Sequence, residues 1–245
     1  MIYFLSDAHL GSLAIANPEE HQKRVADLLR QMGNDATAIY LLGDIFDFWF
    51  EYYWGNPKGY DLFLDTLRTL TDKGIEIHYF IGNHDIWTFG YLEQRTGVTV
   101  HREPQIVTLS GKRCFLAHGD GLGSDNRHFL LLRRFFRNPA AQFLFRLLPP
   151  SWGNALGYKW AKHSRLKELA NPIAYQGENS EELIRFAKQT EYTEHFDYYI
   201  FGHRHIELDL ALATGARVVI LGDTFRLWTY AALDENGMLT LMNTD

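Results

Sequence analysis

Five short apolar runs in this sequence end on side chains that can bind a metal ion, and this pattern constrains the fold more than any other feature. The run Ala38–Leu42 stops at Gly43, and Asp44 follows at once. A buried strand that delivers a ligand to the edge of a sheet ends in this way. The other four runs end on Asp7-x-His9, Gly82-Asn83-His84-Asp85, His118-Gly119-Asp120 and Gly202-His203-x-His205.

The first third of the chain alternates predicted strands with predicted helices. Strands are predicted over residues 2–6, 38–42 and 75–81, and helices over residues 17–32 and 60–73. Asn17 and Pro18 form a typical helix start, and Gly33 a typical helix end. Alternation along the first strand places Asp7 and His9 on one face if the strand continues to His9. The βαβαβ order favours a largely parallel sheet.

The rest of the chain contains further β-type runs, and its tail alternates like antiparallel strands. Strands are predicted over residues 98–101, 105–109, 113–117 and 198–201, then over residues 217–221, 227–233 and 238–242. No internal repeat or low-complexity linker divides the sequence. We therefore expect one α/β domain over residues 1–245, with a helical cap inserted at about residues 122–170.

The predicted cap has an unusual charge. Residues 127–167 contain nine Lys or Arg and no Asp or Glu, although the whole chain has a net charge of −6. One interpretation is a helical hairpin whose arginines extend from an apolar surface into water. Another is an interfacial element that faces acyl chains and anionic headgroups. Nucleic-acid binding fits less well, because the aromatics are mixed with leucines in dense runs rather than spaced for base stacking.

The bulk composition excludes several classes of protein. The apolar share of 46% and the charged share of 22% are those of a globular domain. Cys114 is the single cysteine, which excludes an intramolecular disulfide and a thiolate metal cluster. No apolar stretch approaches the roughly 18–20 residues of a membrane span, and the N-terminus lacks a basic signal-peptide region. We therefore expect a cytoplasmic location.

The five strand ends together offer carboxylate, amide and imidazole ligands. This mixture without thiolate suits Mn²⁺, Fe²⁺, Zn²⁺ or Mg²⁺ rather than a structural zinc site. Asp44 has two oxygens and can bridge two cations, which together would attract a phosphate and activate water. Each motif alone has another explanation, such as a surface pair, a hydrogen-bonded histidine or an ordinary turn. Five of them in one order, all at strand ends, indicate a metal site.

These motifs in this order resemble the pattern of the calcineurin-like metallophosphoesterases. The resemblance implies a four-layer αββα sandwich and two divalent metal ions, with Mn²⁺ expected and Mg²⁺, Fe²⁺ or Zn²⁺ compatible. It implies that one ion is bound by Asp7, His9, Asp44 and His205, and the other by Asp44, Asn83, His118 and His203. It also gives His84 and Asn83 catalytic roles, with His84 as the acid or phosphate-contacting residue.

A narrower resemblance covers nearly the whole chain, including the cap. The block Leu42-Gly43-Asp44-Ile45-Phe46-Asp47-x-Trp49, the segment from His118 to Asp125, and Arg137-Asn138-Pro139 are similar to UDP-2,3-diacylglucosamine hydrolases of lipid A synthesis. This implies water attack on the α-phosphorus of the UDP-sugar lipid, which releases UMP and 2,3-diacylglucosamine 1-phosphate. The cap would hold the acyl chains at the inner face of the cytoplasmic membrane. The implied substrate contacts are Asn83, His84, Asp125, Ser164 and His203.

The sequence departs from that narrower family at three positions. His84 stands where Arg is usual, Asn126 replaces a second acidic residue, and Arg204 replaces Thr between two ligands. These differences bear on the identity of the substrate more than on the chemistry. Alternatives are another lipid-linked substrate, a soluble nucleotide or other phosphodiester, or a binding scaffold without catalysis. The complete ligand set argues against the scaffold, and the acidic body outside the cap argues against a nuclease.

Overall fold

The structure is a computed structural model that describes residues 1–157, 159 and 174–244. Its helices are α1 (Pro18–Met32), α2 (Asp61–Asp72), α3 (Tyr91–Thr96), α4 (Arg127–Phe136), α5 (Pro139–Arg146) and α6 (Glu182–Thr190). Its strands are β1 (Ile2–Leu5), β2 (Ala38–Leu42), β3 (Glu76–Phe80), β4 (Thr99–His101), β5 (Gln105–Leu109), β6 (Lys112–Ala117), β7 (Tyr198–Phe201), β8 (Glu207–Ala211), β9 (Arg217–Leu221), β10 (Thr229–Leu233) and β11 (Leu239–Asn243).

The strands form two mixed sheets. The first has the order β11-β10-β1-β2-β3-β4, in which β1 to β4 are parallel and the β10–β11 hairpin is antiparallel at one edge. The second has the order β5-β6-β7-β9-β8, with parallel β6, β7 and β9 between two antiparallel edge strands. Parallel strands bring their carboxyl ends to one edge, so ligands that follow several strands meet there.

The two sheets pack face to face with helices outside, as the alternation of side chains along each strand requires. In β2, Ile39 and Leu41 pack towards α1 and α2, whereas Tyr40 and Leu42 pack towards the second sheet. The outer face of the second sheet is covered by α6. This arrangement confirms the predicted four-layer αββα sandwich.

Local signals in the sequence explain the two helices beside the first sheet. Asn17 caps α1, because its side-chain oxygen accepts a hydrogen bond from the backbone amide of Glu20 at 3.2 Å. Pro18 occupies the first turn, where its missing amide proton leaves no unsatisfied donor. Apolar residues at helical spacing in α1 and α2 then bury one face of each helix against the sheet.

The tail differs from the antiparallel arrangement expected for it. β9 pairs in parallel with β7, and only its other neighbour, β8, is antiparallel. Val219 and Leu221 of β9 face the first sheet, and Val218 and Ile220 face α6, so both faces of the strand are buried and its apolar run is continuous. β8 was not predicted, although its side chains alternate as in an ordinary edge strand with one face exposed.

The described part of the predicted cap is largely helical and rests on aromatic residues of the loops after β2 and β3. The rings of Phe145 and Phe50 are 4.7 Å apart, and those of Trp87 and Phe136 are 5.6 Å apart. Residues 150–157 are helical as well. Residues 158, 160–173 and 245 are outside the described set, and so is the end of the predicted cap. No described helix is both long enough and apolar enough to cross a membrane.

Candidate metal centre and active site

The predicted ligands follow β1, β2, β3, β6 and β7, whose carboxyl ends lie at the same edge. The strands stop before the ligands, and five ligands lie in the left-handed region of backbone conformation: Asp7 (φ 52°), His9 (φ 47°), Asp44 (φ 52°), His203 (φ 67°) and His205 (φ 49°). Such a conformation is unfavourable for a side chain with a Cβ and is concentrated at functional sites. The backbone therefore bends specifically at the ligands.

The condition under which strand alternation would pair Asp7 with His9 is not met, although the two side chains do meet. β1 ends at Leu5, so strand alternation does not extend to His9. The loop is instead held against the end of β2, since the amides of Asp7 and His9 donate to the carbonyls of Gly43 and Asp44, both at 3.0 Å. Two neighbouring loops thus fix each other's position.

Glycine is required beside the ligands because the side chains approach the backbone closely. A Cβ on Gly82 would lie 2.1 Å from Asp44 Oδ1, and one on Gly202 would lie 2.6 Å from Asp7 Oδ2. Neither contact is sterically possible, so a side chain at either position would displace a carboxylate.

The first group of candidate ligands surrounds Asp7. Its Oδ1 lies 3.8 Å from His9 Nε2 and 3.5 Å from His205 Nε2. All three side chains are buried, and their ligand atoms lie within 4.8 Å of one another. Asp7 Oδ2 accepts the amide of His203 at 2.8 Å, whereas the buried Oδ1 has no hydrogen-bond partner among the described residues. An oxygen in this situation suits a cation.

The second group surrounds Asp44 and includes His118, His203 and Asn83. His118 Nε2 lies 3.3 Å from Asp44 Oδ2 and 3.2 Å from Asn83 Oδ1. Ligand atoms of Asp44, His118 and His203 also lie within 4.8 Å of one another. The structure thus brings all seven predicted ligands to one sheet edge, with Asp44 between the groups.

His84 lies beside Asp44 and is held by two hydrogen bonds. Its backbone amide donates to Asp44 Oδ1 at 2.8 Å, and its Nδ1 donates to the carbonyl of Asp47 at 2.7 Å. This contact fixes the ring and leaves Nε2 for other partners. Ligand atoms of His84, Asp44 and His9 form a third close group.

Carboxylates and a carbonyl lie beside Nδ1 of three histidine rings of the site. His118 Nδ1 lies 2.8 Å from the carbonyl of Leu42, and His9 Nδ1 lies 3.3 Å from Asp47 Oδ1. His205 Nδ1 lies 3.6 Å from Asp223 Oδ2. Metal-binding histidines typically have such a partner on the second nitrogen. The sequence reasoning gave Asp223 no role, although Gly222-Asp223 follows β9 just as Gly43-Asp44 follows β2.

Asp85 is a second structural carboxylate that the sequence reasoning did not assign. It accepts backbone amides from Asp44 at 3.3 Å, Ile45 at 2.8 Å and Gly82 at 2.7 Å, and the hydroxyl of Tyr79 at 2.5 Å. Burial and the nearby Asp44 raise the pKa of Asp85. Its position at the end of the Gly-Asn-His-Asp motif was the available signal.

The charges of the site favour bound cations. Burial opposes ionisation of Asp44, but His118 outweighs it and holds the pKa of Asp44 well below its usual range. Burial likewise disfavours the charged form of His118, yet Asp44 raises the pKa of His118 to about 10. The pKa of Asp7 is also lowered, by His205 and His9 against the effect of burial. Buried ionised carboxylates suit divalent metal ions, and a metal ion would take the place of the proton on His118, because a histidine ligand is neutral.

An apolar cavity of about 760 Å³ lies between the cap and the site. Asn83 and His84 contribute to its wall on the side of the candidate metal centre. Its other walls are mostly apolar and include Phe129, Leu132 and Leu148 from the cap. Asp120 connects the cap to the site, because it lies 2.6 Å from Arg133 Nε and 3.4 Å from Arg137 Nη2.

Two predicted substrate contacts, Asp125 and His203, do not line this cavity. Asp125 is exposed and lies 3.0 Å from Arg185 Nη2, and it is not part of the cavity wall. Ser164 lies outside the described residues. Their substrate roles stay predictions.

The protein belongs to the calcineurin-like phosphoesterase family, whose sequence pattern matches residues 1–207. Members of this family are phosphoesterases that use divalent metal ions. The protein is therefore a hydrolase of the metallophosphoesterase class. A UDP-2,3-diacylglucosamine hydrolase of Porphyromonas gingivalis is 44% identical in an alignment 245 residues long, which covers 95% of this chain and 94% of that protein. One of Nitrosococcus oceani is 30% identical over 177 residues, which cover 72% of this chain and 69% of that protein. Both resemblances seen in the sequence are confirmed.

Proposed function

We propose that the protein hydrolyses the pyrophosphate of UDP-2,3-diacylglucosamine, by water attack on the α-phosphorus, to UMP and 2,3-diacylglucosamine 1-phosphate. The observation that carries the proposal is that one pair of side chains, Asn83 and His84, belongs both to the candidate metal centre and to the wall of the apolar cavity. A substrate with a charged diphosphate beside two acyl chains matches a site with these two adjoining parts. The two relatives compared above are named UDP-2,3-diacylglucosamine hydrolases, which supports this substrate.

The proposed ligands of one metal ion are Asp7, His9, Asp44 and His205, and those of the other are Asp44, Asn83, His118 and His203. Mn²⁺ is the ion we propose, and Mg²⁺, Fe²⁺ and Zn²⁺ suit the same donors. When bound, two such ions supply activated water and neutralise charge on the phosphate oxygens.

The chain's own residues would orient the phosphate and control protons. Because Nδ1 of His84 donates to the carbonyl of Asp47, its Nε2 can donate to a phosphate oxygen, where charge develops, from the cationic form of the ring, in which both nitrogens carry protons. Asn83 can use its carboxamide oxygen for a metal ion and its NH₂ for the substrate. Asp47 and Asp223 hold the rings of His9 and His205 in position.

The cap would bind the acyl chains in the apolar cavity and exclude water beside the reacting phosphate. The same cap exposes large apolar side chains outside the cavity wall, and these include Leu131, Phe143 and Trp152. Exposed arginines such as Arg134 lie among them. We propose that this surface rests on the anionic inner face of the cytoplasmic membrane, where a lipid substrate is available.

The proposal is tested by supplying UDP-2,3-diacylglucosamine with defined divalent metals and analysing the products. We expect Mn²⁺-dependent release of UMP and the lipid 1-phosphate in equal amounts, and much slower turnover of the deacylated UDP-sugar. Equal rates on both substrates would favour a soluble nucleotide substrate instead. Release of UDP rather than UMP would contradict attack on the α-phosphorus.

The membrane proposal has a separate test. We expect the purified protein to sediment with anionic vesicles and to remain in solution with neutral ones. A variant with Arg134→Glu and Leu131→Ser should bind anionic vesicles at least tenfold less, while its rate on detergent-solubilised substrate is retained. Equal binding to both vesicle types would contradict an electrostatic contribution from the cap.

A further inference from the structure

Arg204 lies between two proposed metal ligands, His203 and His205, and its guanidinium points to a buried carboxylate. Arg204 Nε donates to Glu181 Oε2 at 2.9 Å, and Nη2 donates to Glu181 Oε1 at 3.0 Å. The side chain of Glu181 is only 1% exposed. A two-pronged contact of this kind fixes both side chains in direction as well as distance.

Glu181 is placed for this contact rather than for capping its own helix. It occupies the N-cap position of α6, yet its side chain accepts no hydrogen bond from the first turn. Instead Oε1 also accepts the backbone amide of Gln176, in the segment that returns from the predicted cap. The carboxylate therefore joins the ligand loop to the described segment that follows the cap.

The outgoing end of the cap meets the same point of the fold. A Cβ on Gly123 would lie 2.3 Å from the carbonyl of Glu182, and Arg185 Nη2 donates to the carbonyl of Gly123 at 2.8 Å. Gly119 is packed between Leu183 and His203, where a Cβ would lie 3.2 Å from the former and 3.5 Å from Cβ of the latter. The start of α6 thus contacts the beginning of the cap, the described segment that follows the cap, and the ligand loop.

We propose that Arg204, anchored by Glu181, is a positioning residue that fixes His203 and His205 for metal binding and fastens their loop to the base of the cap. The inference rests on the proposed metal-ligand set. The backbone of both histidines is in the left-handed region, which a loop keeps only when surrounding contacts hold it there. Within the described part of the loop, the Arg204–Glu181 pair supplies such a contact through a side chain between the two ligands.

The inference is tested by titrating metal-free protein with Mn²⁺ and following free Mn²⁺ by electron paramagnetic resonance. Removal of a group that orients metal ligands typically weakens metal affinity by roughly 10- to 100-fold. We expect Arg204→Thr and Glu181→Gln to weaken binding of at least one Mn²⁺ by that factor. Arg204→Lys keeps the charge but loses the two-pronged geometry, and we expect it to restore part of the affinity.

Arg217→Thr is the matched control, because it removes another arginine paired in the same two-pronged way, with Asp209, on the neighbouring strands. Its Mn²⁺ affinity should equal that of the unaltered protein. The thermal midpoint of each metal-free variant separates the two explanations. A merely structural pair would lower that midpoint in Arg204→Thr and Glu181→Gln without changing Mn²⁺ affinity, and this result would overturn the inference.

His203→Ala serves as the reference for the metal site itself. Loss of one Mn²⁺ from His203→Ala, together with unchanged affinity in Arg204→Thr and Glu181→Gln, would overturn the role of Arg204 alone. Unchanged Mn²⁺ stoichiometry in His203→Ala would overturn the ligand set and this inference with it. Loss in His203→Ala and weakening in both pair variants is the result we expect.

Discussion

At the scale of single residues, Asp44 lies between the two groups of candidate ligands, because its ligand atoms lie close to those of His118 in one group and of His9 in the other. Its Oδ2 faces His118 Nε2 at 3.3 Å, and its Oδ1 accepts the amide of His84 at 2.8 Å. Asp85 holds the backbone on which this carboxylate stands, through the amides of Asp44 and Ile45. The position of Asp44 is therefore set by a buried network and not by its strand alone.

Asp223 should matter for metal binding although it is not a proposed ligand. We expect Asp223→Asn to weaken the binding of one Mn²⁺ ion by roughly tenfold, because the ring of His205 would lose the carboxylate beside its Nδ1. Calorimetric titration of metal-free protein with Mn²⁺ measures this change. Asp27→Asn, on the exposed surface of α1, is the control, and equal affinities for both variants would contradict a role for Asp223.

The lowered pKa of Glu191 should make the stability of the protein depend on pH. Burial opposes its ionisation, but a hydrogen bond from His195 and another from the amide of Phe196 outweigh this and lower the pKa of Glu191 to about 2. Its contribution is therefore fully present above the ordinary pKa of 4.5 and is lost as pH falls towards 2. We expect Glu191→Gln to lower the free energy of unfolding by about 2 kcal/mol at pH 7.

Urea unfolding at pH 7 and at pH 3 measures this difference. The gap between Glu191→Gln and the unaltered protein should shrink at pH 3, as more of the unfolded-state glutamate is protonated. Glu194→Gln, which alters a more exposed ion pair with Arg113, should show a much smaller effect at either pH. A gap that stays constant with pH would contradict the assignment.

The positions of the candidate ligands at strand ends could be predicted from the sequence, whereas the groups beside their rings and carboxylates could not all be. Asp7, Asp44 and His118 each follow an apolar run, so strand ends identify them. The contact of Asp223 with His205 depends on how β9 is placed beside β7, and no local pattern encodes that placement. The predicted contact of Asp125 stays open for the same reason, since its position depends on how the cap packs.

At the scale of elements, local periodicity predicted the first sheet better than the second. β1, β2 and β3 alternate with helices that have clear starts and ends. A strand–helix–strand unit of this kind places its strands in parallel and makes a right-handed connection between them. β9 and β10 follow each other closely in the chain but belong to different sheets. Alternating side chains reveal a strand without revealing its neighbours, so the crossing between sheets could not be predicted.

The cap gives the element-scale prediction. Ala141 of α5 lines the cavity, and Ala141→Trp should fill part of it. We expect KM for the diacylated substrate to rise at least tenfold, because the acyl chains lose space, while hydrolysis of bis(p-nitrophenyl) phosphate is unchanged. Ala140→Trp is the control, since Ala140 is exposed on the same helix outside the cavity wall. Equal KM values for the two variants would contradict acyl binding in this cavity.

At the scale of the whole molecule, the site joins elements that are far apart in sequence. Asp7 and His205 come from opposite ends of the chain and different sheets, yet they lie 3.5 Å apart. Metal binding to both would connect the two sheets. Without metal, several ionised or ionisable groups are buried at this junction, which disfavours the folded state.

Removal of metal should therefore lower stability. A ligand at a free concentration of 100 times its Kd stabilises the folded protein by about 2.7 kcal/mol. For a chain of this size, that raises the thermal midpoint by roughly 5–10 °C. We expect that rise when Mn²⁺ is added to EDTA-treated protein. Differential scanning calorimetry measures it, and His118→Ala, which retains the other proposed site, should show a smaller rise. An identical midpoint with EDTA and with Mn²⁺ would contradict metal binding at the junction.

The most direct test of the central claim is UMP release from UDP-2,3-diacylglucosamine by the unaltered protein and by Asp44→Ala, both with Mn²⁺. The claim predicts that the unaltered protein releases UMP and that Asp44→Ala loses at least a thousandfold in rate while its circular dichroism spectrum is retained. Asp72→Ala, at the exposed end of α2, is the matched control and should keep the full rate. UMP release by Asp44→Ala at the unaltered rate would contradict the account.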